Sequence, residues 1–500
     1  MVQSLLNAGL LFASGVLAAN GVGGVKNGLA RTPQMGWDNW NAFGCDVSEE
    51  LLISTANRMV DYGLRDAGYQ YVVLDDCWSA GRSENGTLVA NSTRFPNGMA
   101  HVADSIHNLG MKFGMYATAG SLTCGRYEGS LGYEEVDAQT FAGWGVDYLK
   151  YDNCYNEGQE GTPLITYNRY KRMSDALNAT GRPILYSMCN WGTDYPWKWA
   201  QTVANSWRMS GDITDNFNRV DPRCPCSGDE GYDCALPGFH CSAMNILNKM
   251  APYPDKGQPG AWNDLDMLEV GNGGMTDTEY VTHFTMWAAV KSAMIMGNDI
   301  RAMDAKTLSI LANPAVLAIS QDKTGSSAVR RWRYYLPNND NSSNATAAQG
   351  SGTIAEIQMW SGSLEGGDAF VGLLNLGDEA IMINASLADI FVDAGGSHSE
   401  EAQSSWDVYD LWANRMPDSA ANIIIEANST SAANLTGVYW NNTEKSYADG
   451  VAEEAPVLLG KHVGTVEAGG SISSMVESHG VYAVRLRMRA GPSKRKRDEL

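Results

Sequence analysis

The sequence predicts an α/β fold: a (β/α)8 TIM barrel followed by a C-terminal all-β antiparallel sandwich domain. Three observations carry this reading. From about residue 31 to 322, short β-rich runs alternate with longer helical patterns, eight times over. No G-x-G-x-x-G follows the first run, which argues against the alternative, a doubly wound open sheet. After about residue 323 helical periodicity fades, and short alternating runs separated by Gly, Asn and Ser take over. The expected organisation is a leader over 1–19, the barrel over 25–322, the sandwich over 323–490 and a charged tail over 491–500.

The expected barrel strands are 34–40, 69–78, 112–118, 147–154, 183–191, 206–213, 261–268 and 293–300. Between them lie helical patterns at 51–68, 165–181 and 276–292, and the last strand is followed by one at 306–322. Beyond the barrel, runs such as SAVRRWRYYL, TIAEIQMWSG, DAFVGLLNLG, SWDVYDLW and GVYAVRLRM read as sandwich strands. No internal repeat is present, and 338–353 reads as an exposed loop.

Composition excludes several classes. A 500-residue chain that is 44% hydrophobic, with 15 Trp and 22 Tyr, is neither disordered nor a small disulfide-stapled toxin. Its 57 acidic against 36 basic residues give a net charge of −21, so a nucleic-acid partner is not expected. Neutral substrates fit better.

Residues 3–19 are apolar and end in small residues, with Val16-Leu17-Ala18 or Leu17-Ala18-Ala19 as a signal-peptidase site, although the start lacks Lys and Arg. The stretch is short for a membrane span, and no other long apolar run exists. A secreted glycoprotein is expected. Nine sequons support it, at Asn85, Asn91, Asn178, Asn341, Asn344, Asn384, Asn428, Asn434 and Asn441. The last four residues, Arg497-Asp498-Glu499-Leu500, resemble an endoplasmic-reticulum retrieval address, so retention is the alternative destination. Of the nine cysteines, eight can pair in an oxidising compartment. A zinc cluster at Cys224, Cys226, Cys234 and Cys241 is the competing reading, but the spacing is not a paired C-x-x-C.

Barrel active sites lie at the C-terminal ends of the strands. Those ends are acidic and aromatic here. Strand one ends in Trp37, Asp38 and Trp40; strand two in Asp75, Asp76, Cys77 and Trp78. Strand three carries Tyr116, with Cys124 just after; strand four ends in Lys150, Tyr151, Asp152, Asn153 and Cys154. Strand five gives Cys189, Asn190 and Trp191, strand six Arg208 and Asp212, and strand seven Asp264, Asp266 and Met267. Carboxylates and indoles in one pocket suit a sugar: the rings stack on its apolar face and the carboxylates accept its hydroxyls. Two carboxyl groups across one glycosidic bond suffice for hydrolysis. Metal binding is the competing role for these acids, but none of the seven histidines lies in these motifs. No G-x-S-x-G elbow or Ser-His-Asp order suggests acyl transfer. Trp144, Trp207, Trp262 and Trp287 are read as core, and Asp38 and Asp264 as hydrogen-bonding supports.

Taken together, TPQMGWDNWNAFGC, YVVLDDCW, YLKYDNC, SWRMSGDI, WNDLDML and NPAVLAISQD resemble the α-galactosidases of glycoside hydrolase family 27, most closely the fungal secreted type. The resemblance spans the mature chain and implies a retaining exo-α-galactosidase acting on galacto-oligosaccharides and galactomannan. It implies no metal and no organic cofactor. It makes Asp152 the nucleophile and Asp212 the acid/base. Lys150, two residues from Asp152 on the same strand face, would hold it ionised, and the pKa of Asp212 would be raised relative to Asp152. The carboxyls of a retaining pair are expected ~5–5.5 Å apart. Asp75 and Asp76 would hold the 4- and 6-hydroxyls, Trp37 would stack, and Tyr116 and Cys124 would line the pocket. Cys189 and Trp191 would close on the 2-hydroxyl, Arg208 would orient the acid/base, and Asp266 would be a pocket-wall acid. An α-N-acetylgalactosaminidase, or an inactive galactose-binding protein, is the alternative. The resemblance also implies disulfides Cys45–Cys77, Cys124–Cys154, Cys224–Cys241 and Cys226–Cys234, leaving Cys189 free. Asn190 departs from the Glu expected in several relatives.

Overall fold

The computed structural model describes residues 27–218, 241–336 and 355–489. The leader, the sequons Asn341 and Asn344, Cys224, Cys226, Cys234 and the RDEL tail lie outside the described residues.

Eight parallel strands form the first sheet. They are β1 (Met35–Asp38), β2 (Tyr71–Leu74), β3 (Lys112–Thr118), β4 (Tyr148–Asp152), β5 (Leu185–Cys189), β6 (Ser206–Arg208), β7 (Trp262–Asp264) and β8 (Met294–Met296). The order β8-β1-β2-β3-β4-β5-β6-β7 runs round the sheet, and a parallel bridge between Leu268 and Met296 joins its two edges. Each predicted strand is present, and β3 matches in full. The others are shorter than expected, chiefly at their C-terminal ends. There the chain leaves the ladder, with non-glycine residues in left-handed conformations at Cys77 (φ 73°), Trp191 (φ 57°) and Asp266 (φ 78°).

The helices that cover the barrel are α1 (Glu49–Asp61), α2 (Met99–Asn108), α3 (Glu134–Gly143), α4 (Pro163–Ala179), α5 (Ala243–Met250), α6 (Asp277–Ala289), α7 (Ala305–Leu311) and α8 (Pro314–Ser320). Their starts are legible in chemistry. The hydroxyls of Ser48, Thr162 and Thr276 cap α1, α4 and α6 by accepting backbone N–H groups. Two departures from expectation have local causes. Only two 3-10 turns follow β5, Pro196–Lys198 and Ala200–Thr202, because Asp194 and Tyr195 are left-handed and Pro196 donates no N–H. The predicted helix at 306–322 divides at Asn313, whose side chain caps α8 while Pro314 opens it.

The C-terminal part has strands β9 (Val329–Tyr335), β10 (Glu356–Ser363), β11 (Ala369–Asn375), β12 (Ile381–Ser386), β13 (Trp406–Asp410), β14 (Lys461–Val466), β15 (Ser471–Val476) and β16 (Val481–Met488). They make an antiparallel six-stranded sheet, β9-β10-β11-β16-β13-β14, and a two-stranded sheet, β12-β15. Met359, Val371, Leu373, Ile383, Trp406 and Val484 share the core between them. The domain is not all-β. Helices Asp418–Ala427, Tyr447–Ala452 and Pro456–Leu459 lie in one excursion between β13 and β14. Their apolar residues join the barrel core rather than the sandwich core. Tyr439 and Tyr447 donate their hydroxyls to the carbonyls of Gly63 and Ala67 just after α1, at 2.7 and 2.9 Å. Arg415 makes a forked pair with Asp277 at the start of α6 (2.7 Å).

Candidate active site

The strand ends gather a buried set of carboxyls: Asp38, Asp75, Asp76, Asp152, Asp264 and Asp266. Burying so many carboxylates requires cations and oriented N–H groups. Lys150 and Arg208 are the cations, and they divide the set.

Lys150, on β4, reaches across to β1 and β2. Its Nζ lies 2.6 Å from Asp75 and 3.8 Å from Asp38. Burial opposes the ammonium, but Asp38 and Asp75 outweigh it and hold it charged. Asp75 also receives the Asp76 N–H (2.7 Å), and its own N–H donates to Asn39 (2.8 Å). Asp76 accepts from the N–H groups of Cys77 and Gly125 at 2.7 and 2.6 Å. The two adjacent carboxyls are thus fixed by separate partners.

Asp152 ends β4 and is 6% exposed. It accepts the Tyr116 hydroxyl (2.8 Å) and the Asn153 N–H (2.8 Å). Below it, the Tyr170 hydroxyl donates to the Asp152 carbonyl (3.0 Å), and Arg169 holds the Asn153 side chain (2.6 Å). Burial first, and the Asp212 carboxylate second, push the pKa of Asp152 up to about 7 against the pull of Lys150. This corrects one expectation. The pull of Lys150 on Asp152 is outweighed by burial and by Asp212, and its ammonium makes its short ion pair with Asp75, just past the end of β2 and two strands away.

Arg208 ends β6. Its Nη2 donates to Asp212 (2.9 Å) and lies 2.7 Å from Asp266, while Nη1 lies 3.5 Å from the Cys189 sulfur. Asp266 also accepts the Ile213 N–H (2.8 Å), so it ties both the guanidinium and the backbone just after Asp212. Asp212 differs from the other acids: its side chain is 43% exposed. Asp264 accepts the Asp266 N–H (2.8 Å), a supporting role, and burial raises it to about 6.

Two disulfides flank the carboxyls. Cys45–Cys77 and Cys124–Cys154 are both present, and Cys189 is a buried free thiol. Cys241 is disulfide-bonded; the expected partner Cys224 and the Cys226–Cys234 pair fall outside the described residues. Cys124, Asp152 and Cys154 have the spacing of a metal site, yet both sulfurs are in a disulfide and offer no thiolate. The Cys124 sulfur, 3.3 Å from Asp152, is therefore a packing neighbour without a proton to donate.

The indole at strand one needs a second correction. Trp37 has no exposed surface; its N–H donates to the Asn298 carbonyl (2.7 Å) and its ring meets Phe43 edge-on. It is enclosed and cannot stack on a ligand as placed. The partly exposed ring at this strand end is Trp40, packed on Met267, Ala293 and Ile295 beside a cleft shared with Ile213, Glu269 and Asn272. Trp191 is half-buried. Asn190 is turned into its own loop, donating to the Thr193 carbonyl (2.8 Å). Trp207, Trp262 and Trp287 are core, as expected, while Trp144 is half-buried against Trp78 and Phe141. Sequence reasoning missed Trp40 as the open ring, Asp38 as a Lys150 partner, and Arg169 as the support for Asn153. The described sequon asparagines, Asn85, Asn91, Asn178, Asn384, Asn428, Asn434 and Asn441, are all exposed or half-exposed. No described helix is long and apolar enough to cross a membrane.

The chain is similar to known proteins over most of its length. Residues 32–226 and 240–322 match the family model described as alpha galactosidase A, and 355–435 match the alpha galactosidase C-terminal β-sandwich domain. An alpha-galactosidase of Lachancea cidri is 54% identical over 461 residues, 92% of this chain and 95% of the relative. An alpha-galactosidase structure from Saccharomyces cerevisiae is 52% identical with a TM-score of 0.87, covering 94% of this chain and all of that one; a second from the same organism holds raffinose and aligns equally. The alpha-galactosidase I structure of Mortierella vinacea is 43% identical with a TM-score of 0.75, covering 92% and 98%.

Proposed function

The chain belongs to the family 27 α-galactosidases and is a glycoside hydrolase of that activity; from this we propose that it removes terminal α-galactose with retention, Asp152 acting as nucleophile and Asp212 as acid/base. The observation that carries the reading is the pairing of two unlike carboxyls. One is sealed among Tyr116, Asn153 and Cys124; the other is open to the solvent side, where a leaving group and then a water must come and go. Burial of Asp152, and second to it the Asp212 carboxylate, raise the pKa of Asp152 to about 7, which leaves one proton for the two groups below about that pH.

One shared proton is what a double displacement needs. With the proton on Asp212 and Asp152 ionised, Asp152 attacks the anomeric carbon. The C1–oxygen bond breaks, and Asp212 gives its proton to the departing oxygen. Asp212, now a carboxylate, takes a proton from water. The hydroxide so formed attacks C1 and displaces Asp152. Water is consumed and the α-configuration returns. Burial raises the pKa of Asp152, and the first displacement needs Asp152 ionised, so its proton must leave as the substrate binds. Arg208 holds the Asp212 carboxyl in place through the transfer, and Asp266 holds Arg208.

The remaining residues would select the sugar. Asp75 and Asp76, fixed independently, would accept the 4- and 6-hydroxyls. Trp40, rather than Trp37, would offer the stacking ring. Cys189 and Trp191 would close around the 2-hydroxyl, which disfavours an acetamide there. Raffinose-type oligosaccharides are the expected substrates, in keeping with the raffinose bound by a relative. Exposed sequons and disulfides beside the pocket support passage through an oxidising secretory route. Trapping with 5-fluoro-α-galactosyl fluoride tests the nucleophile. Mass spectrometry should find the label on the Asp152 peptide; a label elsewhere would overturn the assignment.

A further inference from the structure

We propose that His479, in the C-terminal domain, is a positioning residue for the acid/base, acting through a ring stack on Phe217. The proposal rests on the reading of Asp212 as the acid/base.

The stretch after β6 runs from Asp212 to Phe217 without regular structure, so its path is set by individual contacts. Near Asp212 the barrel supplies them. The Asp212 carbonyl accepts from Cys241 N–H (2.7 Å), Ile213 N–H donates to Asp266 (2.8 Å), and Asp215 accepts the Tyr280 hydroxyl (2.9 Å). At its far end, Phe217 is 3% exposed, and its carbonyl receives the Met244 N–H (3.0 Å) at the start of α5. The Phe217 ring is stacked on the imidazole of His479, with centroids 5.0 Å apart and planes at 27°.

His479 comes from the turn between β15 and β16, and it is held firmly. Its backbone is left-handed (φ 57°), and its carbonyl accepts the Thr282 hydroxyl (2.9 Å) on α6. Its Nδ1 lies 2.7 Å from Glu279, which is itself fixed by accepting the Thr276 N–H at the cap of α6 (2.7 Å). Asp378 is the other carboxylate beside it, 3.3 Å from Nε2. The ring is therefore a fixed plate, anchored on the barrel helix and pressed on the segment that carries Asp212. Through it the second domain becomes part of the apparatus that aims the acid.

The test compares substrates that differ only in their need for an acid. Raffinose needs one; 2,4-dinitrophenyl α-galactoside, with its weakly basic leaving group, does not. His479→Ala should lower kcat/KM on raffinose by about tenfold, a fraction of the usual worth of general acid catalysis, and on the dinitrophenyl substrate by less than about twofold. His479→Phe, which keeps the stack and discards the Glu279 contact, should recover most of the raffinose activity. Equal losses on both substrates, tracking a fall in Tm, would reduce His479 to a stabilising contact and overturn the proposal, as would full raffinose activity in His479→Ala. An Asp212→Asn control separates the two readings: if its losses do not depend on the leaving group, Asp212 is not the acid and the proposal falls with it.

Discussion

Replacing Asp212 by Asn removes an acid and a charge at once, and the two effects read out separately. Asp152 sits at about 7 through burial and the Asp212 carboxylate, so the pair keeps one proton below that pH and none above it. On raffinose, kcat/KM of the unaltered enzyme should then fall about tenfold per pH unit above about pH 7, since each unit removes nine-tenths of the remaining acid. Asp212→Asn should lose about 10²–10⁴ on raffinose, or roughly 3–5 kcal/mol of transition-state stabilisation. With 2,4-dinitrophenyl α-galactoside the loss should be about tenfold or less, because that leaving group departs without a proton. The pH profile should also reverse. No acid is required on that substrate, so the alkaline limb near 7 disappears. Asp152, freed from the neighbouring charge, ionises at lower pH, and kcat/KM rises with pH to a plateau. Steady-state kinetics from pH 4 to 9 would check this. An alkaline limb near 7 that persists in Asp212→Asn, or equal losses on both substrates, would refute the two-carboxyl reasoning.

Other consequences concern stability and the pocket floor. Asp152 is raised in the fold from 3.8 to about 7, so the folded state binds its proton more tightly than the unfolded chain, and the carboxyl costs stability as pH rises through that window, reaching at most about 4 kcal/mol above it. Asp152→Asn should therefore raise Tm at pH 8, leave it nearly unchanged at pH 3.5, and abolish turnover. Lys291 is buried, and its ammonium caps the end of α8 by donating to the carbonyls of Ile319, Ser320 (3.2 Å) and Asp322 (3.3 Å). Lys291→Met should cost about 3 kcal/mol by denaturant melt, with kcat per folded molecule unchanged. Trp40→Ala should raise KM for galactosides about tenfold or more with little change in Tm, whereas Trp37→Ala should cost about 3–5 kcal/mol of stability, being a cavity in the core.

The barrel was legible because its parallel strands are buried on both faces and read as apolar runs between amphipathic helices. Their C-terminal ends were not, and the reason is functional. Asp75, Asp76 and Asp212 all lie beyond the hydrogen-bonded ladder, on chain that departs from the sheet to present them. Their acidity marked them; period-two alternation could not say where the strand stopped. Trp37 and Trp40 stand three residues apart in one motif, and nothing in the sequence says which indole the packing leaves open. The partner of Lys150 was misread for a related cause. A shared strand face puts Lys150 near Asp152, but the shortest ion pair runs to Asp75, two strands away, and a contact between non-adjacent strands is not visible in one chain's spacing. The helix at Asp418–Ala427 was missed because its Ile423-Ile424-Ile425 run carries β-branched side chains that favour a strand; docking of Ala421 and Ile424 into the barrel core overrides that preference.

The central claim is that Asp152 and Asp212 together cleave an α-galactoside in two displacements. Proton NMR of the first galactose released from p-nitrophenyl α-D-galactopyranoside, recorded before mutarotation, tests it most directly. The account predicts that α-galactose appears first and β-galactose grows in later. β-Galactose as the first product would mean a single displacement by water, and would contradict the roles given to both carboxyls.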